Sequence, residues 1–502
     1  MKILVVTGEN SRRLVEKTIS EFDEIEVFQS KTKVSSLITP GSLLAELKTK
    51  DISHQDLIIV PGQAKGDFSI VKEKLGIHCV KGPKHLIDLP FTLNKIDSTT
   101  FSSHKPADEV LKAEIRKKNK KILGQSQRPA DWIKKIGQSD KPTLNGITQI
   151  IAEIVDAPLL TKTEIQRQAK HFTQSGASII DIGMVAGVDN SDKVKKLISA
   201  IKNVVKVPVS VDTLNPHELE AAIKSKADLL ISLSEQTLQL AEGLKIPAVV
   251  IPQDKKGDIP NTALGKMKLL EKITLQMDQF GYQKYIVDPI MNPPLSNMTT
   301  SLEAYISYRR RHPNTTMLVG AGNVYELMDA DSPGINAILA SIASELSIEL
   351  LLATEASPKA RGCVKELKTA VQMAYLAKQK GQPPKDLGID LLRLKEKKEK
   401  ENPIADELVK VPRKKAQLSE PNLENQYFKI YLADGQIHAA HFKKGKPTTI
   451  ITGTDATHIY REAIRTDLIE KRQHAAYLGM ELAKAEIALK LGKNYIQDEE
   501  LF

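Results

Sequence analysis

The sequence predicts an α/β protein in which a central (β/α)8 TIM barrel is flanked by an N-terminal α/β open-sheet domain and a small C-terminal α+β domain. The length supports several domains, because 502 residues exceed the roughly 250–300 at which one hydrophobic core stops growing. Eight short apolar runs recur in the middle of the chain, each followed by an amphipathic stretch, as a (β/α)8 barrel requires. With 27% charged and 41% apolar residues, the composition is typical of a soluble globular protein and excludes collagen-like and disordered chains.

The N-terminal region predicts a parallel sheet with helices on both faces, because apolar strand-like runs alternate with helix-like stretches. No GxGxxG sequence follows either strand, so a dinucleotide site has no support. The loop at residues 61–67 (PGQAKGD) follows a strand, and it is either a plain turn or part of a ligand site. The predicted strands are residues 3–6 and 57–60, and the predicted helices are residues 12–22 and 43–47.

Two polar stretches separate the three domains. The first is Lys-rich and predicts a helical linker, and the second is rich in Lys and Glu and contains several prolines. The predicted boundaries are residues 1–95 for the N-terminal domain, 96–141 for the helical linker, 142–380 for the barrel, 381–421 for the charged linker and 422–502 for the C-terminal domain.

The barrel region is close to the ~250 residues of a complete (β/α)8 unit. Residues 163–175, 216–225 and 332–344 predict helices, the last two preceded by N-cap residues. The eight predicted strands are residues 147–154, 178–182, 207–211, 228–231, 248–251, 285–287, 316–319 and 348–352.

Polar side chains follow these strands, at the end of the barrel that carries the active site in this fold. Carboxylates and amides dominate, and they would accept N–H donors from a heterocycle or hold a divalent cation such as Mg²⁺. Each Asp alone could be a helix cap or a turn residue, but four at the same end of four strands favour a binding site. The candidate binding residues are Asp156, Asp181, Asp212, Ser232, Asp288 and Asn323.

The loop after the eighth strand differs from the others because it is basic. Phosphate sites in these barrels are commonly built from the last loops and a helix N-terminus. Lys359 and Arg361 stand where an anion would bind, although they could equally be solvated surface residues.

Three of the strand sequences resemble those of a known family. Residues 176–183 (GASIIDIG), 208–213 (PVSVDT) and 285–289 (YIVDP) are similar, in this order, to the second, third and sixth strands of dihydropteroate synthases. Such strands are typical of the pterin-binding barrel superfamily, which also contains methyltransferases that use methyl-tetrahydrofolate or methyl-tetrahydromethanopterin. The PGxxxGD loop and residues 474–489 (HAAYLGMELAKAEIAL) are similar to archaeal dihydropteroate synthase-related proteins, so the resemblance covers nearly the whole chain.

The resemblance implies a role for each strand-end residue. Asp212 and Asp288 would hold the amino-pyrimidine edge of a pterin, since a carboxylate accepts paired N–H bonds well. Asp181 would support the site from the second strand. Asp156 stands where the family has Asn after the first strand, and Ser232 stands where synthases have Asn on the fourth.

The loops that would bind a synthase's second substrate depart from the family pattern. The departures lie at residues 154–158, 184–187, 321–323 and 352–354, where the pyrophosphate-binding and aminobenzoate-binding sequences are missing or rebuilt. Residues 322–324 and 331–336 are more similar to the methyltransferase branch. There, an Asn at the position of Asn323 hydrogen-bonds the pterin near the reacting nitrogen.

A synthase is the expected function, and two alternatives stay open. The synthase would condense a dihydropterin methyl diphosphate with an arylamine, which would carry a phosphoribosyl group in methanopterin biosynthesis. Its catalytic groups would be Lys359 and Arg361, with Mg²⁺. The first alternative is a methyltransferase that uses Asn323 and a methylated pterin, with a corrinoid or a thiol as acceptor. The second alternative is a pterin binder without catalysis.

Charge, composition and cysteine content predict the partners and the location of the protein. A net charge of +10 is mild for 502 residues and aromatic residues are only 4%, so we expect no nucleic-acid partner. No run is long enough to span a membrane, and two distant cysteines suit the cytoplasm. The C-terminal domain predicts a strand hairpin, a third strand and a long helix, and its histidines fit structural roles better than a metal site. A homodimer is one assembly open to the chain.

Overall fold

The computed structural model describes residues 1–125, 133, 136, 146–394, 426–469 and 471–502. The chain divides into two compact units, Met1–Glu396 and Lys397–Phe502. The second part of the predicted helical linker and most of the predicted charged linker lie outside the described residues, apart from Ile133 and Ile136.

The first unit begins with a four-stranded parallel sheet in the order β2-β1-β3-β4, which confirms the predicted α/β open sheet. Strands β2 and β4 are additional to the predicted pair, and β2 is hard to recognise because its side chains are only partly buried. The strands are β1 (Ile3–Thr7), β2 (Ile25–Gln29), β3 (Leu57–Val60) and β4 (His78–Lys81). The helices are α1 (Arg12–Thr18), α2 (Pro40–Leu47), α3 (Ser69–Leu75) and α4 (Leu89–Leu93), followed by α5 (Ala107–Val110) and α6 (Lys112–Gln125).

Eight parallel strands then form the barrel, which confirms the central prediction. Neighbouring strands pair from β10 through β5 to β12 and β11, and a bridge between Val287 and Met317 closes the ring between β10 and β11. The strands are β5 (Gln149–Ile154), β6 (Ile179–Gly183), β7 (Val209–Asp212), β8 (Leu229–Leu233), β9 (Ala248–Val250), β10 (Tyr285–Val287), β11 (Leu318–Gly320) and β12 (Leu350–Thr354).

The barrel helices follow their strands, and local sequence fixes where several of them begin. Thr161 and Glu164 form a capping box on α7, and Asn215 accepts a hydrogen bond from His217 N at the start of α9. The helices are α7 (Lys162–Ser175), α8 (Ser191–Lys202), α9 (Pro216–Lys224), α10 (Ala263–Gln279), α11 (Met298–Arg311), α12 (Gly322–Tyr325), α13 (Ser332–Glu345) and α14 (Cys363–Lys380).

The interior of the barrel is a separate apolar core. Its members alternate along the strands, because successive side chains of a strand point to opposite faces. Ile133, which precedes the barrel in sequence, is fully buried in the same core. The strand residues in this core are Ile151, Ile179, Leu229, Ile231, Val249, Ile286, Leu318 and Leu350.

Buried polar contacts join the N-terminal sheet region to the barrel. Lys380, at the end of α14, forms an ion pair with Asp88 at 3.0 Å, and both side chains are buried. Asn119 of α6 donates to the carbonyl of Leu387 at 2.6 Å. The N-terminal sheet region and the barrel are therefore parts of one compact unit.

In its described residues, the second unit contains a three-stranded antiparallel sheet and two helices, as the predicted α+β class requires. On β14, His441 is buried beside Phe428, whereas His438 stacks on Tyr431 at the opposite face. The elements are β13 (Gln426–Ala433), β14 (Gln436–Lys443), β15 (Lys446–Gly453), α15 (Ala456–Arg465) and α16 (Arg472–Leu491). In the described part of the chain, no helix is both long and apolar enough to cross a membrane.

Candidate functional site

Adjacent strands bring three carboxyl groups together at the carboxyl end of the barrel. In the strand register Glu153 lies beside Asp181, and Gly183 lies beside Asp212. Carboxylate oxygens of Glu153, Asp181 and Asp212 lie within 4.8 Å of one another, and we call these residues the carboxylate cluster. The parallel register alone explains why side chains that are distant in sequence meet here.

Gly183 makes room for the cluster. A Cβ atom at this position would lie 2.2 Å from Oε1 of Glu153, a distance that no side chain could tolerate. The Glu153 carboxyl group therefore occupies the space that a side chain on β6 would fill.

Asp181 forms the buried back of the cluster. Ser210 donates a hydrogen bond to Oδ1 of Asp181 at 2.5 Å, and the Asp181 side chain is fully buried. Among the described residues, no hydrogen-bond donor reaches Oδ2 of Asp181. A buried oxygen without a donor is costly, so this atom favours either a proton or a ligand.

Asp212 lies at the half-buried front of the cluster, and an irregular strand orients it. The pairing of β8 with β9 shifts between Leu230 and Leu233, and within this bulge Ser232 has a φ of +73°. The Ser232 hydroxyl donates to Oδ1 of Asp212 at 2.6 Å. The bulge thus gives Ser232 a role in fixing Asp212.

Burial raises the pKa of every carboxyl group in the cluster. Burial, reinforced by the charges of Asp212 and Asp156, raises the pKa of Glu153 to about 8. Burial, with Asp212 and Glu153, raises the pKa of Asp181 well above its ordinary value. Burial also raises the pKa of Asp212, against the hydrogen bond from Ser232. Three carboxyl groups this close cannot all ionise in a dry site.

Asp288 follows β10 on the other side of the barrel mouth. Its Oδ1 accepts hydrogen bonds from Tyr305 OH and, at 2.8 Å, from Ile290 N. Burial raises the pKa of Asp288 to about 6, although these hydrogen bonds and the charge of Lys266 lower it. Asp288 is therefore mostly ionised at neutral pH and remains a strong acceptor.

Asn323 lies next to the Asp288 segment, on α12 directly after β11. Its Nδ2 donates to the carbonyl of Met291 at 3.0 Å, and its side chain is exposed. Gly322 precedes it, and a Cβ there would lie 2.8 Å from Oγ1 of Thr354. The first residue of α12 therefore packs closely against Thr354 of β12.

The other predicted site residues lie farther out. Asp156 is exposed in a turn with a φ of +48°. Lys359 pairs with exposed Asp329 at 2.8 Å, and Arg361 is exposed. At the start of α14, the carboxylate of Glu355 accepts the N–H of Val364 at 3.1 Å, so a protein carboxylate already binds this helix N-terminus.

Sequence reasoning missed Glu153, Tyr305 and Lys266. The position of Glu153 could have been predicted, because it lies two residues after the inward-facing Ile151 on the same strand and therefore faces inward too. Tyr305 and Lys266 project from helices α11 and α10, and only the tertiary packing brings them to Asp288 and its loop.

The cluster also offers the ligand types that a divalent cation prefers, since all three residues supply carboxylate oxygens. The oxygen of Asp181 without a donor is consistent with such use. A cation and a ligand with N–H donors would both need Asp212, so they would compete for it.

Two protein-family models match the chain. The model described as pterin binding enzyme matches residues 158–289, from α7 to β10. The model described as PterinBD-DUF4346 matches residues 424–498, which cover the second unit's sheet and helices. The first match therefore contains Asp181, Asp212 and Asp288.

A full-length relative exists in Methanocaldococcus jannaschii. This uncharacterized protein is 35% identical over 527 aligned positions, which cover 100% of this chain and 99% of the relative. The similarity therefore includes the N-terminal sheet, the barrel and the C-terminal unit.

Solved structures with a similar barrel include dihydropteroate synthases. One is from Yersinia pestis with a pterine-sulfa conjugate, at 16% identity and a TM-score of 0.37, covering 47% of this chain and 95% of that chain. Another is the 7,8-dihydropteroate synthase of Vibrio fischeri, at 18% identity and a TM-score of 0.38, covering 48% and 96%. A third, from Coxiella burnetii with pteroic acid, has 18% identity and a TM-score of 0.38, covering 46% and 94%.

Proposed function

Because the chain belongs to the pterin-binding enzyme family, as a dihydropteroate synthase-related member, we propose that its barrel binds a pterin between Asp212 and Asp288. The observation that carries this proposal is the pair of half-buried carboxyl groups at the barrel mouth, each fixed by a hydroxyl group. Ser232 holds Asp212 and Tyr305 holds Asp288. Fixed acceptors of this kind suit the N–H donors of an amino-pyrimidine edge.

The protons of the carboxylate cluster fit the same ligand. Glu153 has a pKa raised to about 8 by burial and by neighbouring carboxylates, so it carries an O–H donor at neutral pH. An amino-pyrimidine edge alternates donors and acceptors. A site that offers an O–H group beside carboxylate acceptors matches such an edge better than a wholly ionised site would.

Methyl transfer is the reaction that the arrangement of side chains favours. Asn323 lies beside the segment that carries Asp288, at 3.0 Å from the Met291 carbonyl, and its side chain is exposed at the barrel mouth. It could therefore hydrogen-bond the ring nitrogen that carries the methyl group. The bond from this nitrogen to the methyl carbon breaks, and the electron pair stays on nitrogen, which takes a proton from solvent. A lone pair of a thiolate or a reduced corrinoid forms the new bond to carbon.

The synthase reaction is the second candidate, and the basic loop after β12 is the observation that favours it. Lys359 and Arg361 lie in that loop, where (β/α)8 barrels commonly bind phosphate. For this use Lys359 would have to exchange Asp329 for the diphosphate leaving group. Mg²⁺ would assist by neutralising the diphosphate and would have to enter bound to it, because a cation held by Glu153, Asp181 and Asp212 would compete with the pterin for Asp212.

Binding is tested first, by calorimetry with 6-hydroxymethyl-7,8-dihydropterin. Asp212→Ala and Asp288→Ala are expected to abolish measurable binding, and Asp192→Asn, at an exposed position of α8, serves as the matched control. Unchanged binding by both Ala variants would overturn the site assignment. A repeat with added Mg²⁺ tests competition for Asp212, and a cation that binds in the cluster should weaken pterin binding.

The reaction is tested by turnover. One assay supplies methyl-tetrahydromethanopterin or methyl-tetrahydrofolate with a thiol or a reduced corrinoid. The other supplies a dihydropterin methyl diphosphate with aminobenzoate or its phosphoribosyl-aminobenzene analogue. Methyl transfer that falls at least tenfold in Asn323→Ala supports the first candidate. Condensation that depends on Lys359 and Arg361 supports the synthase, and tight binding without either reaction leaves a non-catalytic pterin binder.

A further inference from the structure

A lysine on a barrel helix is buried against the loop that carries Asp288. Lys266 lies in the first turn of α10, and only 1% of the residue is exposed. Its ammonium group donates three hydrogen bonds, to Ile290 O at 2.9 Å, Asn292 Oδ1 at 3.0 Å and Ser301 Oγ at 3.2 Å. These three acceptors use all three N–H donors of the ammonium group.

Two of those acceptors belong to residues 288–292, which we call the 288–292 loop. The loop is strained at Ile290, a β-branched residue with a φ of +64°. Such a backbone conformation persists only where the surrounding structure enforces it. Here Lys266 binds the Ile290 carbonyl on one side, and Asp288 accepts the Ile290 N–H at 2.8 Å on the other.

The same loop also anchors Asn323, which donates to the Met291 carbonyl at 3.0 Å. The position of the loop therefore determines where both Asp288 and Asn323 stand at the barrel mouth. Ser301 of α11 reinforces the arrangement, since its hydroxyl accepts both the Lys266 ammonium and, at 3.1 Å, the N–H of Asn292.

We propose that Lys266 is a positioning residue of the ligand site, whose buried ammonium group holds the 288–292 loop so that Asp288 and Asn323 face the same ligand. This inference rests on the proposed pterin site. It adds a residue outside the barrel mouth, acting through a loop rather than by touching the ligand. A hydrophobic substitute would leave the acceptors of the loop without a donor, and the strained turn at Ile290 would relax.

Because Lys266 is charged, its loss should change the pH dependence of ligand binding, which the loss of a purely structural lysine would not do. Lys266, Tyr305, the Ile290 N–H and Asp212 are the charged and hydrogen-bonding groups that act on Asp288. Of these, Lys266 supplies the positive charge. Losing it should raise the pKa of Asp288, so the lower pH limit of ligand binding should move upward.

The test compares Lys266→Met with wild type by titrating 6-hydroxymethylpterin, whose ring stays neutral across the relevant range, at a series of pH values. We expect the affinity to fall about tenfold or more, and the pH midpoint to rise by about half a unit. Lys266→Arg, which keeps the charge, should restore the midpoint toward that of wild type. Lys378→Met is the matched control, because Lys378 also binds two protein oxygens but lies on α14 away from the loop.

If Lys266→Met does not fold, Ser301→Ala tests the same contacts. It removes the hydrogen bonds that the Ser301 hydroxyl accepts from Lys266 and from the N–H of Asn292, and it keeps the lysine. It should weaken binding several-fold without unfolding the chain. Wild-type affinity and an unmoved midpoint in the folded variants would overturn the role of Lys266 and leave the pterin site intact. Absence of pterin binding by the wild-type chain would overturn the proposed function, and this inference with it.

Discussion

At the scale of single residues, protonation decides what the barrel mouth can bind. Burial and mutual repulsion raise the pKa of both Glu153 and Asp181, and with a pKa of about 8 Glu153 is largely neutral at neutral pH. Asp288, with a pKa raised to about 6, is mostly ionised. The site therefore combines a carboxylate acceptor with a neutral carboxyl group, which suits an uncharged heterocycle better than a strongly cationic ligand.

We predict that pterin binding weakens as the pH falls through about 6. The ligand's N–H donors prefer the ionised form of Asp288, whose pKa burial raises to about 6, so protonation removes an acceptor. Calorimetry between pH 5 and pH 7.5 should show an affinity loss approaching tenfold per pH unit below the midpoint. In Asp288→Asn the residual binding should lose this dependence, and an equally steep dependence in that variant would contradict the assignment.

We also predict that Glu153→Gln changes how stability depends on pH. The pKa of Glu153 is raised to about 8 in the folded state, above its ordinary value, so the folded chain binds this proton more tightly than the unfolded chain does. Its stabilising effect is present at low pH and is lost as the pH rises through about 8.

Removing this carboxyl group should make the unfolding free energy fall less between pH 5.5 and pH 8.5, by about 3 kcal/mol, since pH 5.5 lies about 2.5 units below the pKa of Glu153 and one pKa unit corresponds to about 1.4 kcal/mol. Denaturant unfolding at the two pH values measures the difference. Glu303→Gln, at an exposed position of α11, is the control and should behave as wild type. Parallel pH profiles for Glu153→Gln and wild type would contradict the buried position of the carboxyl group.

At the scale of elements, the sequence predicts the barrel strands well because each is a short, continuous apolar run. Strand β2 of the N-terminal sheet escapes prediction because its side chains are only partly buried. The first strand of the barrel illustrates a subtler limit. If the residue that follows the strand is taken as the site residue, the choice is Asp156, which is exposed. The alternation of side chains within β5 instead points Glu153 into the site.

The contributions of α10 and α11 could not be predicted from sequence. Tyr305 and Lys266 reach Asp288 and its loop from helices that lie outside the strand ring, and their spacing along the chain carries no sign of this. The bulge that turns Ser232 toward Asp212 is likewise a property of strand pairing rather than of composition.

Gly183 on β6 leaves the space that the Glu153 carboxyl group occupies. Gly183→Ala should displace the Glu153 side chain, because the new Cβ would lie 2.2 Å from Oε1 of Glu153. We expect the chain to fold and pterin affinity to fall about tenfold, since one hydrogen-bond donor to the ligand is misplaced. Gly334→Ala on α13, where a Cβ meets nothing within 4 Å, is the control and should bind normally. Normal binding by Gly183→Ala would exclude Glu153 from the site.

At the scale of the whole molecule, Arg309 links two segments of the strand ring at the end opposite the site. Arg309 of α11 donates to the carbonyls of Leu346, Thr315 and Ser347 and to Oε2 of Glu349. It thereby ties the segment before β11 to the segment before β12. The carboxyl group of Glu349 is buried there and also accepts the N–H of Met317 at 2.9 Å.

We predict that Arg309→Met destabilises the barrel by about 3 kcal/mol, because it removes an ionic partner of the buried carboxylate of Glu349. The double variant Arg309→Met with Glu349→Gln should recover part of the loss. Chemical denaturation measures both effects. Wild-type stability in the single variant would show that the ring does not depend on this contact.

The charge of the whole chain is a poor guide to its ligand. The net charge of +10 comes from lysines and arginines spread along the sequence, whereas the candidate site contains Glu153, Asp181, Asp212 and Asp288. A basic chain can thus carry an acidic pocket, because a small ligand responds to the groups within a few ångströms of it more than to the distant surface.

We claim that a pterin binds with its amino-pyrimidine edge between Asp212 and Asp288, and a crystal structure of the chain with 6-hydroxymethyl-7,8-dihydropterin would show whether it does. We predict that the ring lies at the carboxyl end of the barrel strands. Its amino group and ring N–H should be within hydrogen-bonding distance of the Asp212 and Asp288 carboxylates, with Asn323 near the opposite edge. A pterin bound elsewhere on the chain, or an empty barrel mouth at saturating ligand, would contradict the claim.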